Sequence, residues 1–214
     1  MLHIPHGYLI ALEGIDGCGK TTLTAQLARL LSDKGVAVVT TREPGQTGLG
    51  MKIRALIQER SVPMCPQAEY LLFAANRAQH FHEFILPQLS SGNVIISDRF
   101  FDSSLVYQGY ARGLELDTLR TINYWVTQGR MPDLVIYVRV TPALAADRIK
   151  KRGAVITAYE KESDSFINKL FQGYESLVAP RQDVLVVDGS LDPVSLAQET
   201  AASVYELLCR KGMS

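Results

Sequence analysis

Residues 14–21 read Gly-Ile-Asp-Gly-Cys-Gly-Lys-Thr and follow directly on an apolar run, Tyr8-Leu9-Ile10-Ala11-Leu12. This order fits the phosphate-binding loop G-x-x-x-x-G-K-[ST], which lies after a strand and opens a helix. Gly14, Gly17 and Gly19 let the chain turn tightly and present backbone N–H groups to phosphate oxygens. The helix starting near Lys20 adds the positive end of its dipole. Ile15, Asp16, Cys18 and Thr22 complete the loop and its exit. Lys20 is placed to reach the β- and γ-phosphates, and the Thr21 hydroxyl to ligate Mg²⁺. The pattern implies a nucleoside triphosphate ligand.

The rest of the chain fits the architecture this loop requires. Short Val/Ile-rich runs alternate with amphipathic helical patterns, which predicts an α/β fold with a mostly parallel sheet. The strands are expected at 8–13, 36–41, 93–98, 133–140 and 184–188, with helices at 20–32, 50–58, 66–86, 116–128, 142–151, 163–178 and 193–209. Gly35 stands where the first helix should stop. With 214 residues, one substantial domain covering 1–214 is expected. The segment 153–161 shows no periodicity and reads as a lid over the nucleotide, within a lid region of about 150–162, or as an ordinary surface connection.

Lys+Arg and Asp+Glu both number 22, so no basic excess marks a nucleic-acid partner. The three cysteines, Cys18, Cys65 and Cys209, have no paired spacing, and one sits inside the phosphate loop. A reducing compartment follows, and no apolar run approaches a membrane span, so a cytoplasmic protein with no membrane partner is expected. The four histidines form no metal signature. His80 and His82 fall on different faces of a helix, in surface or packing roles.

Ligands of open α/β sheets sit beyond the carboxyl ends of the strands. Asp98, ending the third strand, should therefore emerge near the phosphate loop and organise Mg²⁺, and Arg99 could bridge donor and acceptor phosphates. A strand-end ion pair is the plainer alternative. Thr41-Arg42-Glu43-Pro44-Gly45 follows the second strand at the same edge, as a second-substrate loop or merely a turn. Phe73 and Arg77 share a helix face and could form a base pocket; a core Phe beside a surface Arg is the other reading. Ser103, Ser104, Tyr107 and Gln108 offer hydroxyls and an amide to a base or sugar, or cap the following helix.

Taken together, GIDGCGKTT, TREPG, LLFAANRAQH, SDRF and SSLVYQGYARG resemble a bacterial thymidylate kinase, over nearly the whole chain. The resemblance implies a P-loop NTPase-type three-layer sandwich with a five-stranded parallel sheet, and transfer of the ATP γ-phosphoryl group to dTMP with Mg²⁺, in a homodimer. It places Asp16 by the sugar 3′-hydroxyl, and Arg42, Arg54 and Arg99 around the acceptor phosphate. Phe73 would stack on thymine, with Arg77 and Ser104 on its edge. Tyr107 would crowd the 2′ position, while Gln108, supported by Ser103, completes the pocket. Glu43 joins these as a dTMP-binding residue, and Tyr159-Glu160 resembles a lid segment. Such families carry a basic residue in the phosphate loop or the lid, but here the loop has Gly17 and Cys18 and residues 154–159 have no arginine. Arg152, or Lys150 or Lys151, is expected to take over that role. Asn76 and Gln46 stand where aspartate and glycine are common. The alternatives are another nucleoside monophosphate kinase, acting on dUMP or dCMP, or a nucleotide-regulated switch. Against the switch, Asn168-Lys169-Leu170-Phe171 fails the guanine-reading pattern at its last position.

Overall fold

The structure is a computed structural model that describes residues 6–59, 62–153, 159 and 162–212. Five parallel strands form one sheet in the order β2-β3-β1-β4-β5: β1 (Tyr8–Glu13), β2 (Val38–Arg42), β3 (Val94–Asp98), β4 (Leu134–Arg139) and β5 (Val184–Asp188). The central three carry almost unbroken Val/Ile/Leu runs because helices cover both faces, and only their last residues, Asp98 and Arg139, reach solvent. Leu9, Ile10, Leu12, Ile95, Ile96, Val135 and Ile136 are all wholly buried. The first and fifth strands lie where the sequence pattern puts them; β3 begins one residue later, β4 is one residue shorter at each end, and β2 begins two residues later and ends one later, at Arg42.

The helices are α1 (Lys20–Asp33), α2 (Gly48–Glu59), α3 (Pro66–His80), α4 (Leu86–Ser90), α5 (Phe101–Ser104), α6 (Leu116–Val126), α7 (Pro142–Arg152), α8 (Asp164–Leu177) and α9 (Pro193–Gly212). A π-helical segment, Phe81–Ile85, joins α3 to α4, so the helix expected to end at 86 runs on to Ser90. The widened turn falls just before Pro87, which has no N–H to continue an α-helical ladder. A second π-helical segment, Leu105–Ala111, extends α5. This helix is absent from the sequence-based expectation for a physical reason. Phe101, Asp102, Ser104 and then Leu105 to Gly109 are all buried, so it has no polar stripe to give a helical period.

Strand register positions the site. Leu12 pairs with Asp98, and Asp98 with Arg42, so β1, β3 and β2 end side by side. The loop 14–19 leaves the central strand at this edge, between the Asp98-Arg99 and Arg42-Glu43 corners.

Candidate active site

The phosphate loop leaves β1 and turns back into α1 through Gly19, whose left-handed φ of 103° lets the last loop peptide swing into the helix. Lys20 is 6% exposed, and its Nζ donates to the carbonyls of Gly14 and Ile15, both at 3.0 Å. The Ile15 side chain belongs to the core, so only its backbone serves the loop. Cys18 is also core: its Sγ would lie 2.8 Å from a Cβ on Gly14, and Lys20 Nζ is 3.6 Å away. Its smallness serves packing. Thr21 Oγ1 donates to Asp98 Oδ2 at 2.7 Å, which brings together the two expected metal ligands. Asp16, Gly17, Gly19, Lys20, Thr21 and Thr22 line a cavity of about 600 Å³ with Arg42, Glu43, Arg54, Asp98, Arg99, Arg148 and Arg152.

Arg99 occupies the centre. Its φ of 74° is left-handed, a conformation that costs a non-glycine residue roughly 1–2 kcal/mol. Ser97 Oγ, donating to the Arg99 carbonyl at 2.7 Å, helps hold it. Nη2 donates to Asp16 Oδ1 at 2.6 Å and to the Tyr107 hydroxyl at 3.1 Å. Nη1 donates to Gly14 O, Ser103 Oγ and Tyr174 Oη at 3.1, 2.8 and 3.4 Å. Burial opposes the Arg99 charge, but Tyr107, Asp16, Tyr174 and Glu13 overcome it and raise its pKa well above the arginine range. Burial likewise pushes Asp16 up, and Arg99 and Lys20 more than offset it, holding this carboxyl below its usual value. Arg54 is lowered, by burial first and then by repulsion from Arg42.

Glu13 is wholly buried and anchors the loop after β3. Its carboxylate accepts from Phe100 N at 2.9 Å, Ser103 N at 3.2 Å, Ser103 Oγ at 2.6 Å and Tyr174 Oη at 3.0 Å. It thereby satisfies free N–H groups at the start of α5, which has no side-chain cap of its own. Ser103 and Ser104 lie inside this helix and do not cap it.

A second pocket is lined by Asp16, Glu43, Arg54, Phe73, Arg77, Arg99, Ser103, Ser104, Tyr107, Gln108 and Tyr159. Arg77, expected on one reading to be a surface residue, is 1% exposed, whereas Phe73 is only half-buried. Its Nε donates to Glu43 Oε2 at 2.8 Å, Nη1 to Asn123 Oδ1 at 2.6 Å, and Nη2 to Phe100 O at 3.1 Å and Ser104 Oγ at 3.2 Å. Those bonds occupy four of five guanidinium hydrogens and leave one on Nη1. Glu43 is steadied in turn by His80, whose Nδ1 lies 3.0 Å from Oε1 and whose Nε2 lies 2.6 Å from Thr41 Oγ1. A carboxylate can only accept, so Nδ1 carries a proton. Gln108 Nε2 donates to Glu69 Oε1 at 2.9 Å and to Tyr159 Oη at 3.3 Å. Asn76 Oδ1 accepts from Gly45 N at 3.0 Å, shaping the Arg42–Gly45 corner, and its Nδ2 is buried with no partner among the described residues.

Most of the sequence-predicted residues therefore line two adjoining cavities that share Asp16, Glu43, Arg54 and Arg99, whereas Gly14, Ile15 and Cys18 line neither. Glu160 lies outside the described residues. Arg152 borders the phosphate cavity; the lysines weighed beside it do not. Lys151 pairs with Asp147 at 2.8 Å on an exposed face. Arg148, Glu13, Tyr174, Asn123 and Glu69 are additions from the structure. Arg148 stands four residues before Arg152 on one helix face, but no local pattern in the sequence marks any of these.

A model of the thymidylate kinase family matches residues 12–200. The chain is 42% identical over 193 residues to a thymidylate kinase of Carboxydothermus hydrogenoformans, covering 90% of this chain and 94% of that one. It is 40% identical over 204 residues to one of Caldanaerobacter subterraneus subsp. tengcongensis, covering 94% and 97%. To one of Nostoc punctiforme it is 38% identical over 195 residues, covering 90% and 92%.

Proposed function

The chain belongs to the thymidylate kinase family, which makes it an ATP-dependent kinase that converts dTMP to dTDP, and we propose that transfer occurs where its two cavities meet. The observation that carries this placement is the position of Arg99, which lines both cavities and is braced by Asp16, Ser103 and Tyr107. An acceptor phosphate in the second cavity and a triphosphate over the loop would both lie within its reach.

Phosphoryl transfer needs alignment and charge neutralisation more than covalent help from the protein. An acceptor phosphate is ionised near neutral pH, so no general base is assigned. Arg42, Arg54 and Arg99 receive the acceptor phosphate, Asp16 meets the sugar, and Lys20 with the loop N–H groups holds the donor. Phe73 stacks on thymine. The remaining N–H of Arg77 and the Ser104 hydroxyl read its edge, Tyr107 fills the space a 2′-hydroxyl would need, and Gln108 closes the pocket. The donor base lies along Leu191, Pro193 and Leu196, in the cleft that adjoins Cys18, Gly19 and Thr22.

Thr21 and Asp98 fit Mg²⁺: two hard oxygen ligands 2.7 Å apart, beside the donor cavity. Bound there, the ion would neutralise charge on the donor phosphates. Tyr124 and Trp125 on α6 are 61% and 78% exposed and Leu71 on α3 54%, an apolar surface suited to a homodimer. No described helix is long and apolar enough to cross a membrane, and a cytoplasmic setting fits the free cysteines.

Coupled ADP release with dTMP, dUMP, dCMP, dGMP and UMP tests the base pocket. Highest kcat/KM for dTMP is the expected outcome, and preference for another monophosphate overturns the assignment.

A further inference from the structure

One polar side chain of the acceptor pocket has its orientation imposed from behind the pocket wall. Gln108 lies in the π-helical segment Leu105–Ala111 and is 1% exposed. Its Nε2 donates to Glu69 Oε1 at 2.9 Å and to the Tyr159 hydroxyl at 3.3 Å, which uses both amide hydrogens. Its Oε1 has no hydrogen-bond partner among the described residues. Gln108 borders the pocket, and Glu69 stands behind it.

Of the two partners, only Glu69 decides which end of the amide faces it. A hydroxyl serves equally as donor or acceptor, whereas a carboxylate only accepts. Turning the amide over would set its oxygen against a carboxylate oxygen in a buried setting and lose the hydrogen bond. The charge that enforces this is itself secured. Glu69 is buried in the first turn of α3, at the positive end of the helix dipole. Arg112 Nε donates to the same Oε1 at 3.2 Å, and its Nη2 donates to Glu162 Oε1 at 2.6 Å. Burial opposes the Arg112 charge, but Glu162 and Glu69 overcome it and raise its pKa above the arginine range.

We propose that Glu69 is a specificity-determining residue of this chain: by fixing the Gln108 amide, it leaves the pocket a carbonyl oxygen that accepts from a pyrimidine N3–H. This rests on the reading of that pocket as the base site. Thymine and uracil carry a hydrogen on N3, whereas N3 of cytosine is an acceptor. A cytosine base therefore sets lone pair against lone pair, and the locked amide cannot turn to relieve it. Glu69 touches no substrate; it is a positioning residue that acts through Gln108, and Arg112 in turn holds Glu69.

The test compares dTMP with 5-methyl-dCMP, which differs only at positions 3 and 4 of the ring, and with dUMP, which differs only by the methyl group. Coupled ADP release gives kcat/KM for wild type, Glu69→Gln, Glu69→Ala and the exchange Glu69→Gln/Gln108→Glu. In Glu69→Gln the new amide can donate as well as accept, so Gln108 is free to turn over. Preference for dTMP over 5-methyl-dCMP should fall about tenfold or more, while preference over dUMP stays within about twofold of wild type. Glu69→Ala should move the first ratio the same way. The exchange puts an obligate acceptor at position 108 itself and should recover most of the lost preference, which a loosened fold could not do. An unchanged first ratio in either single variant, a fall of both ratios together, or no recovery in the exchange would overturn the proposal. Wild type that fails to convert dTMP would instead overturn the underlying reading, so the two failures are distinguishable.

Discussion

The hydroxyl of Tyr174 lets the network around Arg99 be probed by removing one atom. It donates to Glu13 Oε2 at 3.0 Å, lies 3.2 Å from Ser103 Oγ and accepts from Arg99 Nη1 at 3.4 Å, in a wholly buried setting. Tyr174→Phe deletes these contacts without opening a cavity. Glu13 keeps its bonds from Phe100 N, Ser103 N and Ser103 Oγ, so no carboxylate oxygen is orphaned. The loss is then one hydrogen bond to a charged group, about 1.5 kcal/mol, at the low end of that class. For a chain of this length, that lowers the melting midpoint by roughly 3–6 °C. Arg99 keeps its 2.6 Å bond to Asp16 and its 2.8 Å bond to Ser103, so its aim loosens without being lost. About 0.5–1 kcal/mol of weakened acceptor binding corresponds to roughly a two- to fivefold rise in the KM for dTMP, with the KM for ATP unchanged. Thermal denaturation and coupled ADP release measure both effects. Since Ser103 shares the same partners, Ser103→Ala combined with Tyr174→Phe should be non-additive. A midpoint within about 1 °C of wild type, together with an unchanged KM for dTMP, would refute the idea that α8 steadies Arg99.

Burial first, and then Glu13, push Asp102 up to about 6 against the pull of Arg181, which pairs with it at 2.6 Å. The folded state thus binds a proton that the unfolded chain releases near its ordinary value of about 3.9. Stability from this group is full below that value and is lost as pH rises through about 6. Between pH 7.5 and 5, wild type should therefore gain about 1 kcal/mol relative to Asp102→Asn in denaturant titrations; a relative loss would contradict this sign. Thr21→Val removes one oxygen from the pair with Asp98 and should raise half-saturating Mg²⁺ by about tenfold or more in steady-state assays. An unchanged requirement would exclude Thr21 as a ligand. Asn123→Ala leaves a buried Arg77 N–H without its partner, at a cost of about 1–3 kcal/mol. The ratio of kcat/KM for dTMP over dCMP should fall with it, and a constant ratio would show that Asn123 does not orient Arg77.

Local patterns were legible wherever period and neighbours coincided. The phosphate loop, β1 and β5, and the emergence of Asp98 and Arg99 beside the loop all follow from short windows of sequence. Burial on all sides hid α5 and its π-helical extension, because a helix without a polar face has no helical period to detect. Glu13 read only as the end of a strand, since its partners lie 87 to 161 positions away. The same holds for Asn123, whose bond to Arg77 spans 46 residues, and for the His80 bridge between Thr41 and Glu43. Arg152 was legible at the end of a basic helix, whereas Arg148 was not, because its bond to the Cys18 carbonyl spans 130 positions.

The central claim is that donor and acceptor phosphates meet over a cradle spanning Lys20 and Arg99. A crystal structure with MgADP and dTMP bound together tests it most directly. The account predicts Lys20 Nζ turned from the Gly14 and Ile15 carbonyls onto the ADP β-phosphate, and Arg99 within hydrogen-bonding distance of the dTMP phosphate. Both ligands bound with either side chain directed away from its phosphate would contradict it.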